Sequence, residues 1–289
     1  LVYKLNGGDI ARIKVTDVTA NPAIAADAFA IPDTARAAAK PPATGTVPYQ
    51  WVLRRLNIYR FIDSDAVNYD AAANPGGLKL VELAPNVQQV VGGSANDLIV
   101  AMKDYLVVFD APVNEWQSRW VIDAAKAKYP GKPIKYLVLT HHHMDHTGGA
   151  RTYVAEGATI IVPAPDKAHF AKDFAGKRTV NPDALAKHPR AAKITEVADK
   201  LVLKNGDDEL RLFNIENPHV KGMLIGYDAK ADLVWVTDLW SPGRDKNKGP
   251  GNIALHDALA KLGLHPARFA GGHGGNGTSA ELEEVVAQK

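Results

Sequence analysis

Thr140-His141-His142-His143-Met144-Asp145-His146-Thr147-Gly148-Gly149 is the stretch around which the remainder of the chain is read. Imidazole nitrogen is a common zinc ligand, and a carboxylate oxygen suits zinc or another first-row metal. A run this dense in histidine and aspartate is therefore a candidate metal site. Before it lies Ile134-Lys135-Tyr136-Leu137-Val138-Leu139-Thr140, apolar and β-branched as a buried strand is, and after it Gly148-Gly149 opens a helix. Ligands at the carboxyl end of such a strand sit on a rigid base. A helix-borne zinc motif spaces its histidines four apart to share a face, whereas His141 and His143 alternate and need loop or extended backbone to converge. The plainer alternative is a solvated turn or an affinity tag. A tag lies at a terminus and lacks both the interleaved Asp145 and the preceding strand.

Taken together, His141, His143, Asp145 and His146 resemble the HxHxDH signature of the metallo-β-lactamase superfamily of metal-dependent hydrolases. Three later stretches extend the likeness in family order. Asn217-Pro218-His219-Val220-Lys221-Gly222 is similar to the third-histidine motif, Val234-Trp235-Val236-Thr237-Asp238 to the bridging-aspartate strand, and Gly271-Gly272-His273-Gly274 to the last histidine. The resemblance covers residues 78 to 289 and implies an α/β fold, an αββα four-layer sandwich carrying an N-terminal extension. It implies that His141, His143 and His219 hold one metal, that Asp145, His146 and His273 hold a second, and that Asp238 bridges the two. Two zinc ions per chain are the implied cofactor, with iron or manganese as alternatives. The implied reaction is cleavage of an ester, lactone, amide or β-lactam, or thioester bond by a hydroxide bridging the two ions. Asp145 would be the catalytic residue, orienting the nucleophile and shuttling its proton, and the partner would be a small-molecule substrate.

Two other classes stay open. Persulfide dioxygenases share the fold and use mononuclear iron, and a metal-binding protein without catalysis would keep the ligands but turn nothing over. Flavodiiron chemistry fits less well, because it needs a flavodoxin domain and a carboxylate where His143 stands. The nuclease branch of the superfamily usually carries an extra RNA-grasping arm or a large inserted domain, and no insertion of that size lies between Asp238 and His273; Met223, four residues after His219, departs from the glyoxalase II pattern. Asp110 resembles the family's supporting aspartate and is read as structural. His142 is read as a neighbour of the site or a solvated group, and His169, His188, His256 and His265 as surface or satisfied core. Trp240 reads equally well as pocket lining or core.

Composition narrows the setting. A chain of 289 residues can bury a large core and an appendage besides. With 34 basic and 32 acidic residues the net charge is only +2, which leaves no electrostatic footprint for nucleic acid. The most apolar stretches are interrupted by charges, as Lys103, Asp104 and Asp110 interrupt 97 to 113, so no membrane span is expected. Zero cysteine excludes disulfides, thiol nucleophiles and the superfamily subclass whose second zinc uses a cysteine. The chain starts at Leu1 rather than methionine, which reads as a processed product or excised fragment. With the resemblance, that suggests an exported, periplasmic or secreted protein, the cytoplasm staying open. Composition says nothing of oligomeric state.

Residues 1 to 77 read as an extension and linker, resembling the tail of an upstream β domain. Ile13-Lys14-Val15-Thr16 alternates as a half-buried strand does, Asp33 to Tyr49 has linker composition, Trp51 to Phe61 has helical spacing that suits docking, and Asn74-Pro75-Gly76-Gly77 is a turn. From 78 to 289 comes the hydrolase-like domain. Strands are expected at 78–83, 87–91, 98–102 and 105–109, then a helix at 115–129, the site strand, a short helix to 155 and a strand at 158–162. Residues 165 to 190 read as partly helical. Asn205-Gly206 marks one hairpin, and Asp228 to Asp232 a second that sets His219 and Asp238 at the same end of adjoining strands. Ser241 to Asn252 reads as loop and Ile253 to Leu262 as helix, and Thr278-Ser279-Ala280-Glu281 is a capping box that starts the last helix.

Overall fold

The structure, a computed structural model, describes residues 2–5, 8–38, 77–93, 95–179 and 182–288. The chain divides into two units, Leu1–Ile62 and Asp63–Lys289. In the first, β1 (Val2–Leu5) pairs antiparallel with β2 (Gly8–Arg12), and a short helix α1 spans Asp33–Ala38. Both elements correct the sequence reading. Residues 13–16 are not a strand, and Ile13 and Val15 are 46% and 68% exposed. Alternation specifies a strand only where something covers its apolar face. The start of the expected linker is helical because alanine and arginine are strong helix formers and Asp33 suits the first turn. The helix expected over Trp51 to Phe61, residues 39–49 of the linker and Asn74 to Gly76 of the turn lie outside the described residues.

In the second unit, β3 (Lys79–Ala84), β4 (Val87–Val91), β5 (Asp97–Ala101), β6 (Leu106–Phe109), β7 (Ile134–Val138), β8 (Thr159–Pro163) and β9 (Lys193–Val197) form one sheet in sequence order. Pairing is antiparallel from β3 to β6 and parallel from β6 to β9. Each parallel step needs a crossover, and helices α2 (Glu115–Lys128), α4 (Ala150–Glu156), α5 (Lys167–Ala175) and α6 (Ala184–Lys187) supply them. The second sheet runs β10 (Lys200–Asn205), β11 (Asp208–Ile215), β12 (Met223–Asp228), β13 (Leu233–Val236), β14 (Arg268–Gly271) and β15 (Asn276–Thr278), antiparallel except for β13 with β14. Helix α7 (Pro250–Leu262) makes that crossover, and α8 (Ser279–Val286) closes the chain.

Side-chain alternation divides the core into three layers of contact. Leu98 and Val100 of β5 face inward with Val107, Phe109, Val138 and Ile161, against Leu212, Leu224 and Trp235 of the second sheet. Ile99 and Ala101 of the same strand face outward, beneath Val121 and Ile122 of α2 and Tyr153 of α4. On the far side Ile225, Val234 and Val236 meet Leu255, Leu259 and Leu282 of the last two helices. This is the expected αββα sandwich. One glycine sets the inter-sheet spacing. A Cβ built on Gly226 of β12 would stand 2.4 Å from Phe109 Cζ, so the ring occupies space that any side chain there would need. Phe109 also packs at 6.2 Å, tilted, on Trp235.

Three local differences from the sequence reading have simple causes. Strand β9 was not foreseen, because only Val197 in it is fully buried and its charged residues hide the pattern. Helix α7 starts at Pro250 rather than Ile253, since proline in the first turn loses no hydrogen bond and Asn252 accepts from Gly249 N–H at 3.0 Å. The three-residue β15 precedes the last helix, whose capping box is formed: Thr278 N–H donates to Glu281 Oε2 at 2.8 Å. Among the described residues no helix is long and apolar enough to cross a membrane.

Candidate metal centre

All seven singled-out side chains converge at one end of the sandwich. His141 and His143 follow β7, with Asp145 and His146 on α3 (Met144–Thr147), a single turn that the loop needs to swing from strand to α4. His219 precedes β12, Asp238 follows β13 and His273 follows β14. Ligand atoms fall into three groups, each within 4.8 Å: His141, His143 and His219; His141, His146 and Asp238; Asp145, His146 and His273. His219 Nε2 lies 3.0 Å from His143 Nδ1, and His146 Nε2 lies 3.1 Å from His273 Nε2. Tetrahedral ligands about 2.0–2.1 Å from one zinc are about 3.3 Å apart, so these separations suit a shared ion. Asp238 lies between the groups, Oδ2 2.9 Å from His146 Nε2 and 3.4 Å from His141 Nε2, and Oδ1 3.3 Å from His273 Nε2.

The surrounding hydrogen bonds fix which nitrogen carries a lone pair. Thr140 donates both its N–H and its hydroxyl to Asp110 Oδ1, each at 2.9 Å. With its proton directed at Asp110, the Thr140 oxygen accepts from His141 Nδ1 at 3.2 Å, which leaves His141 Nε2 unprotonated. That nitrogen is buried without a hydrogen-bond partner and faces the Asp238 carboxylate. A buried lone pair opposite a carboxylate is repulsive unless a cation stands between them, and this is the observation that makes the residues fit a metal. Likewise His146 Nδ1 donates to Asp110 Oδ2 at 3.1 Å, turning Nε2 toward Asp238 and His273. Asp110 thus supports both halves of the loop.

Electrostatics follow the same division. Burial and the neighbouring His219 push His143 down to about 4, so its ring is neutral and ready to bind metal. Burial lowers His219 and His141 as well. For His273 burial acts downward, but Asp145 and Asp238 outweigh it and raise the imidazole to about 9. Burial would raise Asp145 and Asp238; their histidine neighbours win and hold both carboxyls well below the usual range. Backbone strain also gathers here. Asp110, Val113 and Asp238 have φ of 61°, 65° and 52°, a left-handed region that is costly for the β-branched Val113.

Other sequence readings resolve by position. His142 turns away from the centre to Asp166, Nδ1 to Oδ1 3.0 Å. His169 lies beside it, the rings tilted by 58° with centroids 5.8 Å apart. Trp240 is 1% exposed and packs edge-on to Phe269 at 5.2 Å, so it belongs to the core. Sequence reasoning gave no role to Thr140 or to Thr237, whose hydroxyl donates to Asp238 Oδ2 at 2.8 Å and lies 3.2 Å from His146 Nε2. Each is adjacent to a singled-out residue, and that adjacency was the available signal.

The chain is similar to known proteins over part or most of its length. Two curated Pseudomonas proteins, a linear primary-alkylsulfatase and an (R)-specific secondary-alkylsulfatase, are 31% and 36% identical over 78 residues. Those matches span 27% of this chain and only 12% of each relative. Among solved structures, a metallo-β-lactamase from Pontibacter korlensis superposes with a TM-score of 0.57 at 16% identity, over 73% of this chain and 98% of that one. One from Hirschia baltica gives 0.54 at 17% identity, over 73% and 96%. The model of the metallo-β-lactamase superfamily matches residues 93–284, which takes in both sheets' site loops from β5 to α8, and the chain therefore belongs to that superfamily.

Proposed function

We propose that the protein is a metal-dependent hydrolase whose centre holds two divalent cations, zinc by the chemistry of its imidazole-rich donors. One observation carries this reading: the Asp238 carboxylate stands between two histidine groups, 3.4 Å from His141 on one side and 2.9 Å and 3.3 Å from His146 and His273 on the other. His141, His143 and His219 would hold one ion, and Asp145, His146 and His273 the other. Such a pair supplies Lewis acidity and lowers the pKa of water toward neutrality.

The chain's own residues do the remainder. Exposure rises from His141 at the floor through His143 to His219 at the rim, so the open side of the centre is the side of His219. Asp145, whose Oδ2 is 3.6 Å from His273 Nε2, is ionised and placed to orient a water and accept its proton. Asp110 and the two threonines hold the imidazoles and Asp238 in fixed orientation, which removes reorganisation from the reaction. The bond cleaved is that of an ester, lactone, amide or thioester. The alkylsulfatase relatives favour adding sulfate esters to that set.

The test is a hydrolysis panel of a chromogenic cephalosporin, a lactone, a thioester, a phosphodiester and an alkyl sulfate. It is run on the parent, on chelator-stripped protein and on Asp145→Asn. Expected is turnover of one class by the parent, loss on stripping, recovery with zinc, and near-complete loss in Asp145→Asn with much of the metal retained. Full activity in Asp145→Asn removes its assigned role. No hydrolysis, together with oxygen uptake on a persulfide by iron-loaded protein, replaces the hydrolase reading with the dioxygenase one.

A further inference from the structure

His273 sits in a glycine-rich loop that one internal hydrogen bond closes, Gly271 N–H to Gly275 O at 2.9 Å. Gly271, Gly272, Gly274 and Gly275 flank it on both sides, and glycine is the residue with the greatest backbone freedom. A single internal bond leaves much of the imidazole's placement to groups outside the loop, and the opposite sheet provides four of those contacts.

Asn96, in the turn between β4 and β5, is buried and spends every donor it has on this loop. Its side-chain Nδ2 donates to Gly271 O at 2.8 Å and to Gly274 O at 3.0 Å, and its backbone N–H donates to Gly272 O at 2.7 Å. Gln89 of β4 adds a fourth contact, Nε2 to Gly271 O at 2.9 Å. The turn is itself anchored from behind, where Gln117 Nε2 of α2 donates to Ala95 O at 3.1 Å and to Asp97 Oδ2 at 2.8 Å. From its own sheet the loop is held by Gly272 N–H donating to Val236 O and by Gly275 N–H donating to Pro242 O, each at 2.8 Å.

We propose that Asn96 is a positioning residue of the metal centre: by bracketing His273 with two hydrogen bonds to Gly271 and Gly274, it sets the imidazole that the second cation needs. The inference rests on the two-cation reading above and adds that the second position depends on a residue of the first sheet far from any ligand in sequence. A carboxylate at 96 has the same shape but would present acceptors to two carbonyl oxygens, so Asn96→Asp inverts the contact without emptying the site.

The experiment is a stepwise zinc titration against a chromophoric chelator on the parent, Asn96→Asp and Asn86→Ala, with amide exchange of residues 271–275 measured on the metal-free proteins. Asn86 is the control, since its Nδ2 donates to Asp228 Oδ2 at 2.9 Å and so ties the same two sheets at the end away from the centre. Expected for Asn96→Asp is a second equivalent weakened about 10- to 100-fold, a first equivalent within about twofold of the parent, and faster exchange at 271–275. Asn86→Ala should change neither equivalent. The proposal is overturned by parent-like affinity for the second equivalent, or by equal weakening of both equivalents in the two variants, which would mark a loss of general stability. If the parent itself takes one equivalent, the two-cation reading fails separately, and exchange then decides: faster exchange in Asn96→Asp upholds the clamp on His273, and unchanged exchange removes it.

Discussion

Replacing Asp110 by asparagine tests how the loop assigns its lone pairs. Asparagine keeps the shape and tolerates the left-handed φ of 61° found there. Its Oδ1 can still accept from Thr140 N–H and hydroxyl, both 2.9 Å away in the parent. The loss falls on His146. An amide nitrogen at the place of Oδ2, 3.1 Å from His146 Nδ1, sets two donors against each other in a fully buried pocket. Either the clash persists, at about 1–3 kcal/mol for an unsatisfied buried donor, or the ring changes tautomer and puts its proton on Nε2, where it blocks metal. At about 1.4 kcal/mol per tenfold, both routes weaken the cation at His146 by about 5- to 150-fold. The cation at His141, His143 and His219 should change little. The assay is stepwise zinc competition, with far-ultraviolet circular dichroism to show that the fold is kept. Parent-like affinity for both equivalents in a folded Asp110→Asn would refute the tautomer argument.

Three further outcomes are expected. Gly226→Ala forces a methyl to within 2.4–2.5 Å of the Phe109 ring and should destabilise by about 1–3 kcal/mol in urea unfolding, so an unchanged midpoint would show that the sheets are not held at that spacing. Asp183 accepts from Arg151 Nη2 at 3.2 Å and from Ala186 N–H at 2.8 Å, and Arg151 outweighs burial to hold its carboxyl below the ordinary range. With the folded value below the unfolded one, the pair stabilises at neutral pH and that contribution disappears as pH falls below about 4. Arg151→Met should then show a shallower acid limb in unfolding midpoints taken from pH 7 down to 2.5, and an identical limb in the two proteins would remove the pair from the explanation. Chelation should lower the thermal midpoint by about 5–10 °C for each cation removed, about 10–20 °C for both, from about 2.7 kcal/mol per site at a hundredfold excess of ligand over Kd. Zinc should restore it, and equal midpoints with and without zinc would argue against a bound cation.

Much of the second unit could be read directly from sequence because its signals are local. The strand into His141, the Asn205-Gly206 turn, with Gly206 at φ of 63°, and the Thr278 to Glu281 box each specify their own backbone. The second hairpin set His219 and Asp238 at one end, as its polar turn required. What stayed hidden depends on contacts distant in sequence. Asn96 and Gln89 look like ordinary turn and strand residues until Gly271, 175 and 182 positions later, is seen to accept from them. The alternation at Ile13 to Thr16 misled for the converse reason, since periodicity records a capacity to be covered and not the presence of a cover. Pro250 misled because composition was read without position: the same residue that breaks a helix interior starts one at the first turn.

The most direct test of the two-cation reading is elemental analysis of the full chain purified without chelator, expressed as metal per chain. Two zinc ions per chain are expected, falling to one when His146 is replaced by alanine. One iron per chain in the parent, or no metal at all, would contradict it.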